Sequence, residues 1–284
     1  MTDEKKFTGW KKTYIGLLNA ATVICIILGL MIHVGGWIGD DLVKGFMGIG
    51  RTVSSGERST TSREQALGSF DKVEGTVAIG NVVFAYGDEY NVSYENYPEA
   101  ETPSLKLSGS TLKIEQKASN RWGMNDIKNR FSGAKVCITV PKGTAVEVDL
   151  NLNMGAVEAE DMTLGKVKLD ADMGAITMKN VTARKLDLNA DMGAITLEQT
   201  TFEDGNMKAA MGGITLEDVT FDDCELKADM GGISVTGSFS DLEADCDMGG
   251  IDVQYDNADC ELDLNADMGG ITVNGESVGR KYHR

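Results

Sequence analysis

The residues best placed to do chemistry in this chain are aspartates. Asp172, Asp191, Asp229, Asp247 and Asp267 each stand immediately before a methionine-glycine pair, and Asp170 and Asp245 lie two residues upstream of such an aspartate position. Residues two apart on an extended strand share a face, so the seven carboxylates belong to one surface. Ca²⁺ and Mg²⁺ each take several oxygen ligands, which makes a stacked carboxylate ladder a candidate cation site. The competing reading is a solvated acidic face. Carboxylates stacked ~4.8 Å apart in water repel by roughly 0.9 kcal/mol per pair, and Asn153, Ala210, Lys208 and Lys227 interrupt or offset the column. The Gly-Gly-x-Gly-x-Asp pattern of calcium-binding repeats is missing. The solvated face is therefore the default, no cofactor is expected, and Ca²⁺ or Mg²⁺ is the alternative.

Other chemistry is scarce. The two histidines, His33 and His283, lie far from the aspartates, at the end of an apolar stretch and next to the last residue. That removes the usual general base and the Ser-His, Cys-His and His-metal arrangements. No phosphate-binding or dinucleotide-binding glycine loop and no GxSxG elbow occurs. Gly212-Gly213, Gly231-Gly232, Gly249-Gly250 and Gly269-Gly270 read as corners of the chain instead. A catalytic residue is not assigned.

The elements that position the aspartates follow from a repeat. Met154-Gly155, Met173-Gly174, Met192-Gly193, Met211-Gly212, Met230-Gly231, Met248-Gly249 and Met268-Gly269 return at intervals of 19, 19, 19, 19, 18 and 20 residues. Four positions before the methionine stand Leu150, Leu169, Leu188, Met207, Leu226, Ala244 and Leu264, and two before it small apolar residues such as Ala171 and Ala190. Polar residues fill the positions between. Alternation at period two is a strand with one buried face and fits no helical stripe. The glycine turns the chain, and Val157, Ile176, Ile195, Ile214, Ile233, Ile251 and Ile271 open a second strand. By parity the methionines join the leucines, alanines and isoleucines in a narrow core.

Self-similarity at a short fixed period marks a solenoid whose coils bury their apolar faces against each other. The fold class is all-β, a parallel β-solenoid of ~19-residue coils, right-handed by the general preference of parallel crossovers, preceded by one transmembrane helix. Residues 149–274 are the regular coils. Residues 67–148 read as a divergent, capping start of the same stack, with strand-like runs at Val73–Ile79, Val82–Phe84, Leu105–Leu107, Leu112–Ile114 and Val136–Val140 and turns at Gly87-Asp88 and Asn96-Tyr97-Pro98. The polar, basic stretch 275–284 finishes it.

Tyr14 to Val34 is 21 residues without charge, the length that crosses a bilayer core, bracketed by Trp10 and Trp37. No small-x-small cleavage site follows, so the span reads as a retained anchor. Lys5, Lys6, Lys11 and Lys12 precede it and Asp40 and Asp41 follow. The positive-inside rule then places a cytoplasmic tail at 1–13, the helix at 14–34, a flexible linker at 35–66 and the solenoid outside the cell. Removing the 8 basic and 6 acidic residues through Ala66 from the totals of 27 and 44 leaves an outer part with a charge of about −19. Nucleic acid and anionic lipid are poor partners for such a surface. Cys25 lies in the span, and Cys137, Cys224, Cys246 and Cys260 read as small buried hydrophobes without a disulfide framework.

A short basic N-terminus, one span and a solenoid carrying ADMGAIT and ADMGGIT repeats resemble the bacterial putative-adhesin family of unknown function, the cell-wall-active, envelope-stress-linked group. The resemblance runs from about Phe70 to Val273, and its other specific part is Val136 to Thr144, VCITVPKGT. It implies a Gram-positive-type surface protein with no established catalytic residues. Two functions follow as expectations. One is a non-enzymatic, membrane-tethered adhesive or scaffold module facing wall polymer or another surface protein. The other is an envelope-stress sensor or regulator acting with a separate membrane partner, since residues 1–10 are too few to signal alone. A polysaccharide-active enzyme ranks below both, because coils of near-constant length leave no long loops to wall a cleft. Ile195→Asp would place an unpaired charge in the one-residue-wide core. The expected outcome is loss of cooperative melting, and a retained cooperative transition would refute the inward assignment of that column.

Overall fold

The computed structural model describes residues 60–117, 130–257 and 259–284, and the span at 14–34, its tail and most of the linker lie outside them. No helix among the described residues is long and apolar enough to cross a membrane. The chain opens with strands β1 (Thr60–Ala66), β2 (Lys72–Ile79), β3 (Asn81–Gly87) and β4 (Asn91–Pro98), followed by a 3-10 turn at Glu99–Glu101. Next come β5 (Ser104–Ser108), β6 (Thr111–Gln116) and β7 (Lys135–Pro141). The repeats supply β8 (Val146–Met154), β9 (Val157–Glu160), β10 (Leu164–Met173), β11 (Ile176–Lys179), β12 (Lys185–Met192), β13 (Ile195–Glu198), β14 (Thr201–Met211) and β15 (Ile214–Met230). They continue through β16 (Ile233–Met248), β17 (Ile251–Tyr255), β18 (Glu261–Met268) and β19 (Ile271–Val273), and the chain ends with β20 (Glu276–Gly279) and β21 (Lys281–His283).

The repeats stack as parallel ladders in register. Leu169 pairs with Leu150 and Leu188, Leu188 with Met207, Met207 with Leu226, Leu226 with Ala244, and Ala244 with Leu264. The Ile176, Ile195, Ile214, Ile233, Ile251 and Ile271 column stacks the same way. Both columns are at most 2% exposed, so the expected seven-coil β-solenoid core is observed. A second interior ladder was not foreseen: Phe202, Phe221 and Phe239 stack with ring centroids 5.0 and 4.8 Å apart, and Tyr255 follows tilted at 5.9 Å. Identical residues stacked by identical register give offset-parallel aromatic packing without further design.

Each coil has two sharp corners. At the first, the glycine N–H bonds to the methionine carbonyl of the next coil, as in Gly174 to Met192 (3.0 Å) and Gly193 to Met211 (3.1 Å). A Cβ on Gly193 would lie 1.8 Å from the carbonyl oxygen of Gly174, so the repeated glycine is required by backbone contact between coils. At the second corner Asp161, Asn180, Gln199 and Asp218 take φ of 55°, 50°, 49° and 53°, a left-handed conformation in which Asn and Asp are enriched.

The methionines depart from the expected parity. Met192, Met211, Met230 and Met248 are 43–45% exposed and Met268 is 62% exposed, whereas Ala190, Ala209, Ala228, Cys246 and Ala266 two residues before them are buried. Alternation holds through the aspartate, which faces outward as expected, and fails at the corner, where the methionine also faces outward. Cys137 also departs: it alternates with buried Val136 and Ile138 and is half-buried against Ser93 of β4. Cys224, Cys246 and Cys260 are buried free thiols, as expected.

The start of the stack is not sequential. β2 and β3 lie between β6–β7 on one side and β8–β9 on the other, all parallel. The chain therefore forms the β2–β3 coil, adds the β6–β7 coil outside it, and returns across to begin the repeats. Antiparallel strands close this end: β4 on β7, β1 on β4 and β5 on β6. Two expectations are corrected here. Thr60–Ala66, assigned to the linker, is β1, and Asn96-Tyr97-Pro98, assigned to a turn, lies within β4. The turn-forming Asn96 does adopt φ of 61°, opposite a register shift in β1, so its left-handed preference produces a bulge rather than a reversal. At the other end the 275–284 stretch folds back as β20 on β19 and β21 on β18, both antiparallel. Both open edges are thus covered by short antiparallel strands, the usual protection against edge-to-edge growth.

Gly269 and Gly270 provide a paired test, since a Cβ on Gly269 would lie 1.6 Å from the Gly249 oxygen and one on Gly270 would meet nothing within 4 Å. Gly269→Ala should cost about 3 kcal/mol or more in urea unfolding, and Gly270→Ala should be neutral or stabilise by up to about 1 kcal/mol.

Candidate functional site

The candidate surface is the outward side of the long strands β8, β10, β12, β14, β15, β16 and β18, ending at the glycine corner. Every second residue there faces solvent because its neighbours are the core leucines and alanines. Asp172, Asp191, Asp229, Asp247 and Asp267 are exposed, and Asp170 and Asp245 are half-buried.

Register divides the seven into two groups. Asp172 and Asp191 occupy neighbouring rungs, flanked by the pairs Ala171–Ala190 and Met173–Met192, with Asp170 beside Asn151 and Asn189. Asp229, Asp247 and Asp267 occupy three successive rungs, with Asp245 between Lys227 and Asn265. The rung of Lys208 and Ala210 separates the groups. Neutral and basic neighbours relieve part of the charge. Asn265 donates from Nδ2 to Asp245 at 3.2 Å, Asn189 donates to Asp191 at 3.3 Å, and Lys168 Nζ lies 3.9 Å from Asp170. Among the described residues no three His, Cys, Asp or Glu side chains converge as a cation cage.

The denser acidic field lies further upstream on the same strands. Asp223, Asp241 and Glu261 stack in one column and Glu225, Glu243 and Asp263 in the next. Shifting the repeat register upstream would have found them; attention to the residues beside Met-Gly missed them. Partial desolvation, then the carboxylates of Glu225, Asp245, Asp263 and Asp241, push the Glu243 carboxyl above its ordinary range. Basic groups from the C-terminal strand border this field in a shallow open depression lined by Glu243, Asp245, Asp263, Lys281 and His283. His283 Nδ1 lies 3.9 Å from Asp263. Arg284 reaches the Tyr255 hydroxyl and stacks over its ring, 5.6 Å from the centroid.

The opposite end of the stack is balanced. Glu74 of β2 lies 2.7 Å from Lys113 and 2.9 Å from Lys72, and these ammoniums hold its carboxyl down at about 2. The solenoid thus runs from charge-paired N-terminal coils to acidic C-terminal coils. Among the described residues no long loop interrupts the face, because connections between successive strands from β8 to β19 are two to five residues long.

The Toastrack DUF4097 family model matches residues 77–284. No curated protein matches the chain. A structure from Bacteroides fragilis NCTC 9343, described as a "putative adhesin", is 16% identical over 76% of this chain and 97% of that one, with a TM-score of 0.56. A "putative adhesin" from Parabacteroides distasonis ATCC 8503 is 15% identical over 77% and 97%, TM-score 0.46. A "putative cell adhesion protein" from Clostridium sporogenes ATCC 15579 is 10% identical over 62% and 98%, TM-score 0.39. At 16% identity the likeness to the Bacteroides structure shows the fold alone.

The raised Glu243 carboxyl means the folded chain holds that proton more tightly than the unfolded chain. Stability from this group therefore grows as pH falls from neutral through the raised value. Glu243→Gln should raise the melting temperature at pH 7 by no more than about 1–2 °C, because solvent screening holds interactions among exposed charges to a few tenths of a kcal/mol. The gain should shrink in 0.5 M salt, where exposed charges are screened, and at lower pH. An unchanged melting temperature at low salt would show that these carboxylates do not repel appreciably.

Proposed function

The chain belongs to the Toastrack DUF4097 family, and on that premise we propose that it is a non-enzymatic, cell-surface β-solenoid that presents its ladder face as a binding or scaffold surface. The proposal includes the finer features of the sequence reading: residues 14–34 as a single membrane anchor, the N-terminus inside, and a right-handed solenoid outside. The observation that carries it is the unbroken outward face of β8 to β18, repeated coil upon coil with connections too short to wall a catalytic cleft. A repeated flat face suits an extended or repetitive partner, such as wall polymer or another surface protein, because rungs recur at a fixed spacing and carry the same carboxylate within the Asp172–Asp191 and Asp229–Asp247–Asp267 groups. The descriptions of the structural relatives as adhesins point the same way.

A tag placed after Arg284 tests the topology. Protease added to intact, wall-stripped cells should remove the tag, and protection until lysis would overturn the surface assignment. Retention of the full chain on purified wall material, reduced by charge reversal at Asp229, Asp247 and Asp267, would support the binding face. Copurification with one membrane protein, lost when the span is exchanged, would favour the regulatory alternative.

A further inference from the structure

The exposed methionines have no structural explanation. The corner needs glycine, whose Cβ position is occupied by a neighbouring coil's carbonyl, but it makes no such demand on the residue before it. Any polar side chain would serve at a position 43–62% exposed, and methionine is normally among the more buried types. Nevertheless Met192, Met211, Met230, Met248 and Met268 occupy five successive rungs, paired in register, and Met173 and Met154 extend the column at half-buried positions.

We propose that this methionine ladder is a binding site for soft monovalent metal ions, Cu(I) or Ag(I), held between sulfurs of adjacent rungs. Thioethers are soft, neutral ligands that favour such ions over Ca²⁺ and Mg²⁺. The geometry suits them. Rungs of a parallel ladder repeat at ~4.8 Å, and two sulfurs sharing one ion through metal–sulfur bonds of about 2.3 Å, the zinc–sulfur value, lie about 4.6 Å apart when the ion is linearly coordinated. Flexible methionine side chains absorb the difference. The neighbouring aspartates Asp172, Asp191, Asp229, Asp247 and Asp267 surround the ladder with negative potential that concentrates cations, yet as hard ligands they do not displace sulfur from a soft ion. Among the described residues Cys224, Cys246 and Cys260 are buried and Cys137 is half-buried, so accessible thiols are alkylated before the test, and His283 sits at the far edge of β18 beside Asp263.

The test is titration of the full chain with Ag(I), a redox-stable stand-in for Cu(I), in chloride-free buffer, followed by calorimetry and native mass spectrometry. Two or more ions should bind, and millimolar Ca²⁺ or Mg²⁺ should not displace them. Joint replacement of Met192, Met211, Met230 and Met248 by leucine, which keeps volume and apolarity, should weaken binding at least about tenfold with an unchanged circular dichroism spectrum. Unchanged affinity in that variant, or displacement by Ca²⁺ in the native chain, would overturn the site. A second readout needs no variant. With ¹³C-methyl-labelled methionine, Ag(I) should shift the ε-methyl signals of the ladder, and shifts confined to other methionines would equally overturn it.

Discussion

The fold depends on one close approach between backbones. At each Met-Gly corner from Gly155 to Gly249 the glycine donates its N–H to the next coil, while its Cα faces a carbonyl that occupies the place of a side chain. This contact lets parallel pairing continue through the turn instead of ending at it. Apart from local register shifts near Leu164 and Leu216, each coil inherits the register of the last, and like residues stack on like. The leucine and isoleucine columns, the phenylalanine ladder and the methionine ladder all follow from that one constraint.

The same register has a cost. In-register stacking sets identical charges side by side, so a charge written into the repeat repels its own copies. The N-terminal coils dilute this with pairings such as Asp149–Lys168–Asp187 and with the Lys72–Glu74–Lys113 cluster. The C-terminal coils do so less, and Asp223, Asp241 and Glu261 stand in sequence beside Glu225, Glu243 and Asp263. The basic C-terminal strand lies against the last of these rungs, closing an open edge and offsetting charge together.

On the proposed reading, function resides in surfaces. From β8 to β19 the connections are short, and what the coils repeat is a carboxylate face and a corner of thioethers, with ~4.8 Å between rungs. Hard and soft groups lie next to each other along the same edge, and they select different ligands.

Much of this was legible in the sequence. The 19-residue interval, the apolar-polar alternation and the glycine column determine a parallel β-solenoid, its inward leucines and isoleucines, and its outward aspartates, since these are properties of straight strands and local turns. Tertiary structure alone decided the rest. Met192 and its counterparts face outward because the corner rotates the backbone, which parity cannot report. Thr60–Ala66 is a strand only because β4 presents an edge to it, and Asn96 bulges rather than turns because pairing on both sides holds β4 extended. The insertion of the β2–β3 coil between β6–β7 and β8–β9 rests on hydrogen bonds between segments far apart in the chain. No repeat marks those segments, and local sequence does not encode the partner of an open edge.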